Sequence, residues 1–223
     1  MGEHVTFPSN GRTTAGFLAT PKSGKGAGVI VIQEWWGLVP HIRQLCERLA
    51  GEGFVALAPD LYHGEQTTSP DEAERLMMAL NIAETERDLA GAAEFLASRA
   101  ASSKLGVVGF CMGGQLALFA ACTNRAIGAC VDFYGIHPAV RPDLGRLSAP
   151  VLGFFGGRDE FVTPEAARSL ESEIRAAGKP VELHVYPDAG HAFFNDSNPE
   201  AHVEARAKEA WGKMLAFFRR HLA

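Results

Sequence analysis

The sequence predicts one domain of the α/β class, a mainly parallel central sheet with helices on both faces, and three observations carry that expectation. Short apolar runs rich in β-branched residues alternate with helical stretches of ten residues or more, and a crossover between parallel strands is normally a right-handed helical one. The chain has 223 residues, enough to close one large core. The run Gly109-Phe110-Cys111-Met112-Gly113-Gly114 sits between the apolar stretch from Leu105 and the helical pattern Gln115 to Ala121, and so reads as strand, sharp turn, helix.

In chain order, Val5-Thr6-Phe7 and Thr14 to Thr20 read as strands of an opening hairpin around the turn Ser9-Asn10-Gly11. Gly28 to Gln33 is an unbroken β-branched run of the kind a buried parallel strand needs, followed by helical periodicity from His41 to Glu52 that Gly53 stops. Phe54 to Ala58 is the next strand. Pro59 to Pro70 is a polar loop, and Asp71 to Arg99 is helical with a break near Asn81. After the glycine-rich turn, Ala126 to Phe133, Val151 to Phe155 and Val181 to Tyr186 supply three further strands. Helices are expected from Pro164 to Ala177, where proline suits a first turn, and from Glu200 to His221.

Composition narrows the function classes. The formal charge is −5 and the Lys and Arg residues are scattered, which argues against nucleic acid as the partner and favours a small molecule. No segment is long and apolar enough to span a bilayer. Four unevenly spaced cysteines, with no apolar leader after Met1, lead us to expect a reducing cytoplasm. A monomer or weak homodimer is expected. Cys46, Cys122 and Cys130 fall in apolar patterns and read as small buried hydrophobes. The histidines and cysteines do not fall at zinc-ligand spacings, so no metal is expected, and the glycine pattern departs from that of dinucleotide folds.

In a parallel sheet, ligands bind beyond the carboxyl ends of the strands, which is where the chemically useful side chains of this sequence fall. Cys111 occupies the reactive place of a G-x-S-x-G nucleophile elbow, with a thiol instead of a hydroxyl, at a helix start whose amides favour a thiolate. Asp159, after the Val151 strand, is positioned to orient an imidazole, with Asp132 in mid-strand as the weaker rival. His191, in Pro187-Asp188-Ala189-Gly190-His191, is the candidate base. The order nucleophile, acid, histidine is that of α/β-hydrolases and not of chymotrypsin-like or subtilisin-like enzymes.

These residues resemble the dienelactone hydrolases, or carboxymethylenebutenolidases, of the α/β-hydrolase superfamily. The resemblance rests on Gln33-Glu34-Trp35-Trp36-Gly37, Pro59-Asp60-Leu61-Tyr62, the elbow, Gly156-Gly157-Arg158-Asp159 and Ala189-Gly190-His191-Ala192-Phe193, in that family's order. It implies an α/β-hydrolase fold and a hydrolase of lactones or esters that uses Cys111, Asp159 and His191 with no metal or organic cofactor. It further implies that Glu34 faces the thiol and gates it. Backbone amides of Met112 and Trp35 are the expected oxyanion donors. Trp36, Tyr134, Phe161 and Asn195 are the expected pocket residues, with Trp35, Phe110 and Phe194 as further aromatic candidates.

The sequence departs from the family at Asn195, four residues after the histidine, where enzymes acting on dienelactone carry an arginine. Recognition of an anionic lactone then depends on another cation such as Arg75, and broader esterase or thioesterase activity on short esters becomes the alternative. A redox-active cysteine, a cysteine peptidase and a non-catalytic binding protein are the readings from other classes.

Overall fold

The computed structural model describes residues 2–9 and 11–222, so the centre of the Ser9-Asn10-Gly11 turn, Asn10, lies outside the described residues. The strands are β1 (Gly2–Ser9), β2 (Arg12–Ala19), β3 (Gly28–Ile32), β4 (Val55–Pro59), β5 (Leu105–Phe110), β6 (Ile127–Phe133), β7 (Val151–Gly156) and β8 (Val181–Tyr186). The helices are α1 (Pro40–Gly51), α2 (Pro70–Ala79), α3 (Ile82–Ala97), α4 (Met112–Thr123), α5 (Pro164–Ala176) and α6 (Glu204–His221). All strands form one sheet in the order β1-β2-β4-β3-β5-β6-β7-β8. Pairing is antiparallel for β1 with β2 and β2 with β4, and parallel from β4 to β8.

Every residue of β3, β4, β5 and β7 is buried, which is why these strands read as continuous apolar runs. Side chains alternate between two large cores. One gathers Val29, Val31, Phe133 and Phe154 with apolar residues of α1 and α6, and the other gathers Ile30, Ile32, Val107 and Cys130 with those of α3 and α4. Helix α4 is apolar nearly all round and packs on β5 and β6 beneath α3. The break near Asn81 is a true cap: the Asn81 Oδ1 accepts from the Glu84 N–H at 3.2 Å and restarts the chain as α3. The hairpin is tied down by buried Asp88 of α3, whose carboxylate accepts from Ser9 and, at 3.0 Å, from the Thr14 hydroxyl.

One local expectation needs correction. Helix α6 begins at Glu204 rather than Glu200, because the Asn198 carbonyl accepts the Ala201 and His202 N–H groups in turns, and the Val203 N–H goes to the Phe193 carbonyl at 2.9 Å. A short 3₁₀ turn at Leu144–Arg146, capped by Asp143, lies in the loop after β6. Among the described residues, no helix is long and apolar enough to cross a membrane.

Candidate active site

The site is built at the carboxyl ends of the parallel strands. Between β5 and α4, Cys111 is held at φ 54° and ψ −121°, a backbone state that a side-chain-bearing residue reaches at a cost of about 1–3 kcal/mol. The flanking glycines make it possible: a Cβ on Gly109 would lie 1.8 Å from the Gly113 carbonyl oxygen, and one on Gly113 would lie 2.5 Å from the carbonyl oxygens of Ile32 and Gln33. The Cys111 N–H donates to the Phe133 carbonyl at 3.0 Å, and its own carbonyl accepts from Gly114 at 2.9 Å and Ile136 at 3.1 Å. With the backbone fixed on both sides, the direction of the Cys111 Cα–Cβ bond is fixed too.

The Met112 and Trp35 N–H groups donate toward the Cys111 sulfur and favour its ionised form. Burial, the charge of Glu34 and, more weakly, that of Asp159 outweigh them and push the thiol well above its ordinary range. The local amides favour a thiolate as expected at this helix start, and Glu34 opposes it as expected, but burial is the largest influence and the balance favours the neutral thiol.

Beyond β7, Asp159 is fully enclosed. Its Oδ1 accepts from the N–H groups of Phe161 (2.8 Å) and Val162 (2.9 Å), which leaves Oδ2 to meet His191 Nδ1 at 2.8 Å. The loop carrying His191 is tied to the Asp159 loop by the Arg158 N–H to the Ala189 carbonyl at 2.9 Å. The imidazole lies between two rings, Tyr134 at 5.0 Å and Phe161 at 5.1 Å, and its side chain is 18% exposed. Asp132, the rival acid, is excluded as His191's partner. It is wholly buried in β6 with its carboxyl wedged against Gly114 and Gly135, and burial pushes its pKa up to about 7.

Glu34, just beyond β3, is buried, and burial raises its pKa to about 7 against the opposing pull of one hydrogen bond, from Asn195 Nδ2 to its Oε2 at 2.8 Å. Asn195 is itself buried, and both ends of its amide have partners inside the protein. Tyr134 is likewise enclosed, at a φ of 44°, with no side-chain partner for its hydroxyl among the described residues, while Phe161 is 67% exposed at the rim beside His191. Trp35 and Trp36 are half-buried and meet edge to face at 5.0 Å. Phe110 and Phe194 stack at 5.3 Å inside the core, where neither can line a pocket. Arg75 is exposed on α2 and held by Glu72 at 2.6 Å and Glu65 at 3.5 Å. It borders a cavity of about 180 Å³ lined by Tyr62, His63 and Leu80.

Sequence reasoning missed two contributors. The Tyr62 hydroxyl donates to Met112 Sδ at 3.2 Å, bracing the residue next to the thiol. Ser197 donates from both N–H and hydroxyl to Asn195 Oδ1. The tyrosine ends a motif that carried a signal; the serine carried none. Among the described residues no cluster of three His, Cys, Asp or Glu side chains forms a metal site.

Comparison with known proteins agrees with this architecture. The family model described as "Dienelactone hydrolase family" matches residues 14–222. "Protein usf" of Aquifex pyrophilus is 36% identical over the full length of both chains. A "Putative carboxymethylenebutenolidase" of Escherichia coli K12 is 35% identical over 97% of this chain and 86% of its own. Among solved structures, a "Putative Dienelactone Hydrolase" of Klebsiella pneumoniae superposes with a TM-score of 0.90 at 32% identity, covering 99% of each chain. An esterase from an Arctic intertidal metagenomic library, at 22% identity and TM-score 0.76, shares the fold. The strand order, the elbow at Cys111 and these similarities together place the chain in the dienelactone hydrolase family of α/β-hydrolases, as a carboxylic ester hydrolase.

Proposed function

We propose that the protein hydrolyses small neutral esters and lactones through a thioester on Cys111, with His191 as proton carrier and Asp159 as its orienting acid. The observation that carries this reading is the convergence, at one end of the sheet, of a strained thiol ringed by two amide donors with a 2.8 Å carboxylate–imidazole pair.

In the resting site the thiol is neutral and opposed by Glu34. Substrate entry that displaces Glu34 removes the like-charge opposition, and the thiol proton passes to the His191 imidazole. The sulfur attacks the carbonyl carbon, and the carbonyl electron pair moves to oxygen, where the Met112 and Trp35 N–H groups receive it at about 3 kcal/mol per donor. Collapse breaks the carbon–oxygen ester bond, and the imidazolium gives its proton to the leaving alkoxide. The imidazole then takes a proton from water, hydroxide attacks the thioester, and the acid departs as the thiol regains its proton. A lactone opens to a hydroxy acid in this way.

A neutral substrate is favoured because Asn195 carries no charge and Arg75 is already paired with acidic residues. Four free cysteines support a reducing, cytoplasmic setting. The test is rapid mixing with p-nitrophenyl acetate followed by intact-protein mass measurement. An acetyl adduct on Cys111 with a p-nitrophenol burst, both absent from Cys111→Ala, is expected. Turnover by Cys111→Ala at the native rate overturns the assignment.

A further inference from the structure

Asn195 and Glu34 stand 161 positions apart in the chain, yet both are at least nine-tenths buried and meet through the 2.8 Å bond from Asn195 Nδ2 to Glu34 Oε2. Which way the amide faces is not free. A backbone N–H can donate and cannot accept, and the Ser197 N–H lies 2.9 Å from the other end of the amide, so that end is oxygen and the end at Glu34 is the NH₂ group. The Ser197 hydroxyl donates to the same oxygen at 2.5 Å.

The loop that carries these residues is fastened to the element that follows Glu34. Asp196 Oδ1 lies 3.1 Å from His41 Nδ1 at the start of α1, and Asp196 Oδ2 lies 3.8 Å from Arg48 further along it. The Asn195 N–H donates to the Ala192 carbonyl and its own carbonyl accepts from Asn198. Both polar ends of the Asn195 side chain therefore have partners inside the protein.

We propose that Asn195, oriented by Ser197, is a positioning residue that holds Glu34 against the Cys111 thiol and sets the pH at which that carboxyl ionises, and that it does not bind substrate. The proposal deepens the reading of Glu34 as the brake on Cys111 and rests on it. The titratable groups facing Glu34 are Cys111 from the elbow and Tyr134 from the end of β6, with Asp159 acting on both and His191 packed against Tyr134. His41, Asp196 and Arg48 flank the Asn195 side. Among the described residues no cation pairs with Glu34. A neutral amide stabilises a buried carboxylate less than a guanidinium does, so the brake comes on near neutral pH instead of far below it.

The test follows alkylation of Cys111 by iodoacetamide in the full chain from pH 5.5 to 9, with the modified cysteine identified by peptide mass, beside KM for a neutral ester at pH 5.5. The native profile is expected to bend near pH 7, where Glu34 ionises and begins to oppose the thiolate, and the bend is expected to vanish in Glu34→Gln. Asn195→Leu removes the hydrogen bond to the charged form and is expected to move the bend up by about one pH unit or more. Ser197→Ala, a milder change, is expected to move it less in the same direction. KM at pH 5.5 is expected to stay at the native value in both variants. A bend unmoved in both variants yet abolished by Glu34→Gln overturns the proposal, as does a raised KM at pH 5.5 with an unmoved bend. A bend that survives Glu34→Gln belongs to another group and overturns the Glu34 brake together with this proposal, while the acetyl-adduct measurement still judges Cys111 on its own.

Discussion

Glu34→Gln should make the protein more stable at alkaline pH and leave it nearly unchanged in mild acid. In the unfolded chain this carboxyl ionises from about pH 4.5, whereas in the folded protein it holds its proton to about pH 7. Between these values the folded state binds a proton that the unfolded state has released, so the contribution of Glu34 is intact below pH 4.5 and is lost as pH rises through 7. At about 1.4 kcal/mol per unit, ionising this carboxyl costs the native fold about 3 kcal/mol. Glutamine keeps the volume and a carbonyl oxygen for Asn195 Nδ2, and it carries no ionisable proton. Urea unfolding of both proteins at pH 5 and pH 8.5 isolates the effect, because Asp132 is common to the pair and cancels, and burial keeps the coupled Cys111 and Tyr134 above this range in both. The unfolded carboxyl is already partly ionised at pH 5, so the variant should gain about 2.5 kcal/mol over the native protein at the higher pH relative to the lower. An equal difference at both pH values would refute the argument that burial governs this carboxyl.

Two further outcomes follow from the geometry. Asp159→Asn keeps the acceptor for the Phe161 and Val162 amides but replaces the charge 2.8 Å from His191 Nδ1; kcat on an activated ester should fall by about 10²–10⁴ with KM little changed, read from initial rates. Gly113→Ala drives a Cβ to 2.5 Å from two backbone oxygens of β3 and its following residue; denaturant unfolding should show a loss of about 2 kcal/mol or more, or the variant should fail to fold.

What could be read in the chain was whatever depends on local pattern. The inner parallel strands β3, β4, β5 and β7 announced themselves because each is buried on both faces, and the elbow did so because its backbone shape admits few residues at positions 109 and 113. Asp159 and His191 were visible as polar residues in glycine-rich loops beyond strands, and the 2.8 Å contact between them agrees with that reading. The opposition of Glu34 to the Cys111 thiolate was expected, but the burial that contributes most was not visible, since it is a property of the whole assembly. Nor was the contact of Asn195 with Glu34: no periodicity links residues on loops that follow β3 and β8, and the same asparagine read as a pocket residue until both its ends proved occupied. The start of α6 was misplaced because turn hydrogen bonds to Asn198 and Phe193 compete with helix in a stretch whose composition suits either.

The constraint at the elbow falls on the neighbours of its tip and not on the tip itself. Glycine is demanded at 109 and 113, while position 111 asks for a small side chain that tolerates the turn. Exchanging sulfur for oxygen there alters one atom and leaves the scaffold as it is, so the choice between the two elements is open to selection by chemistry alone. Under the proposed mechanism, that exchange would trade a thioester intermediate for an oxygen ester without altering the turn beneath it.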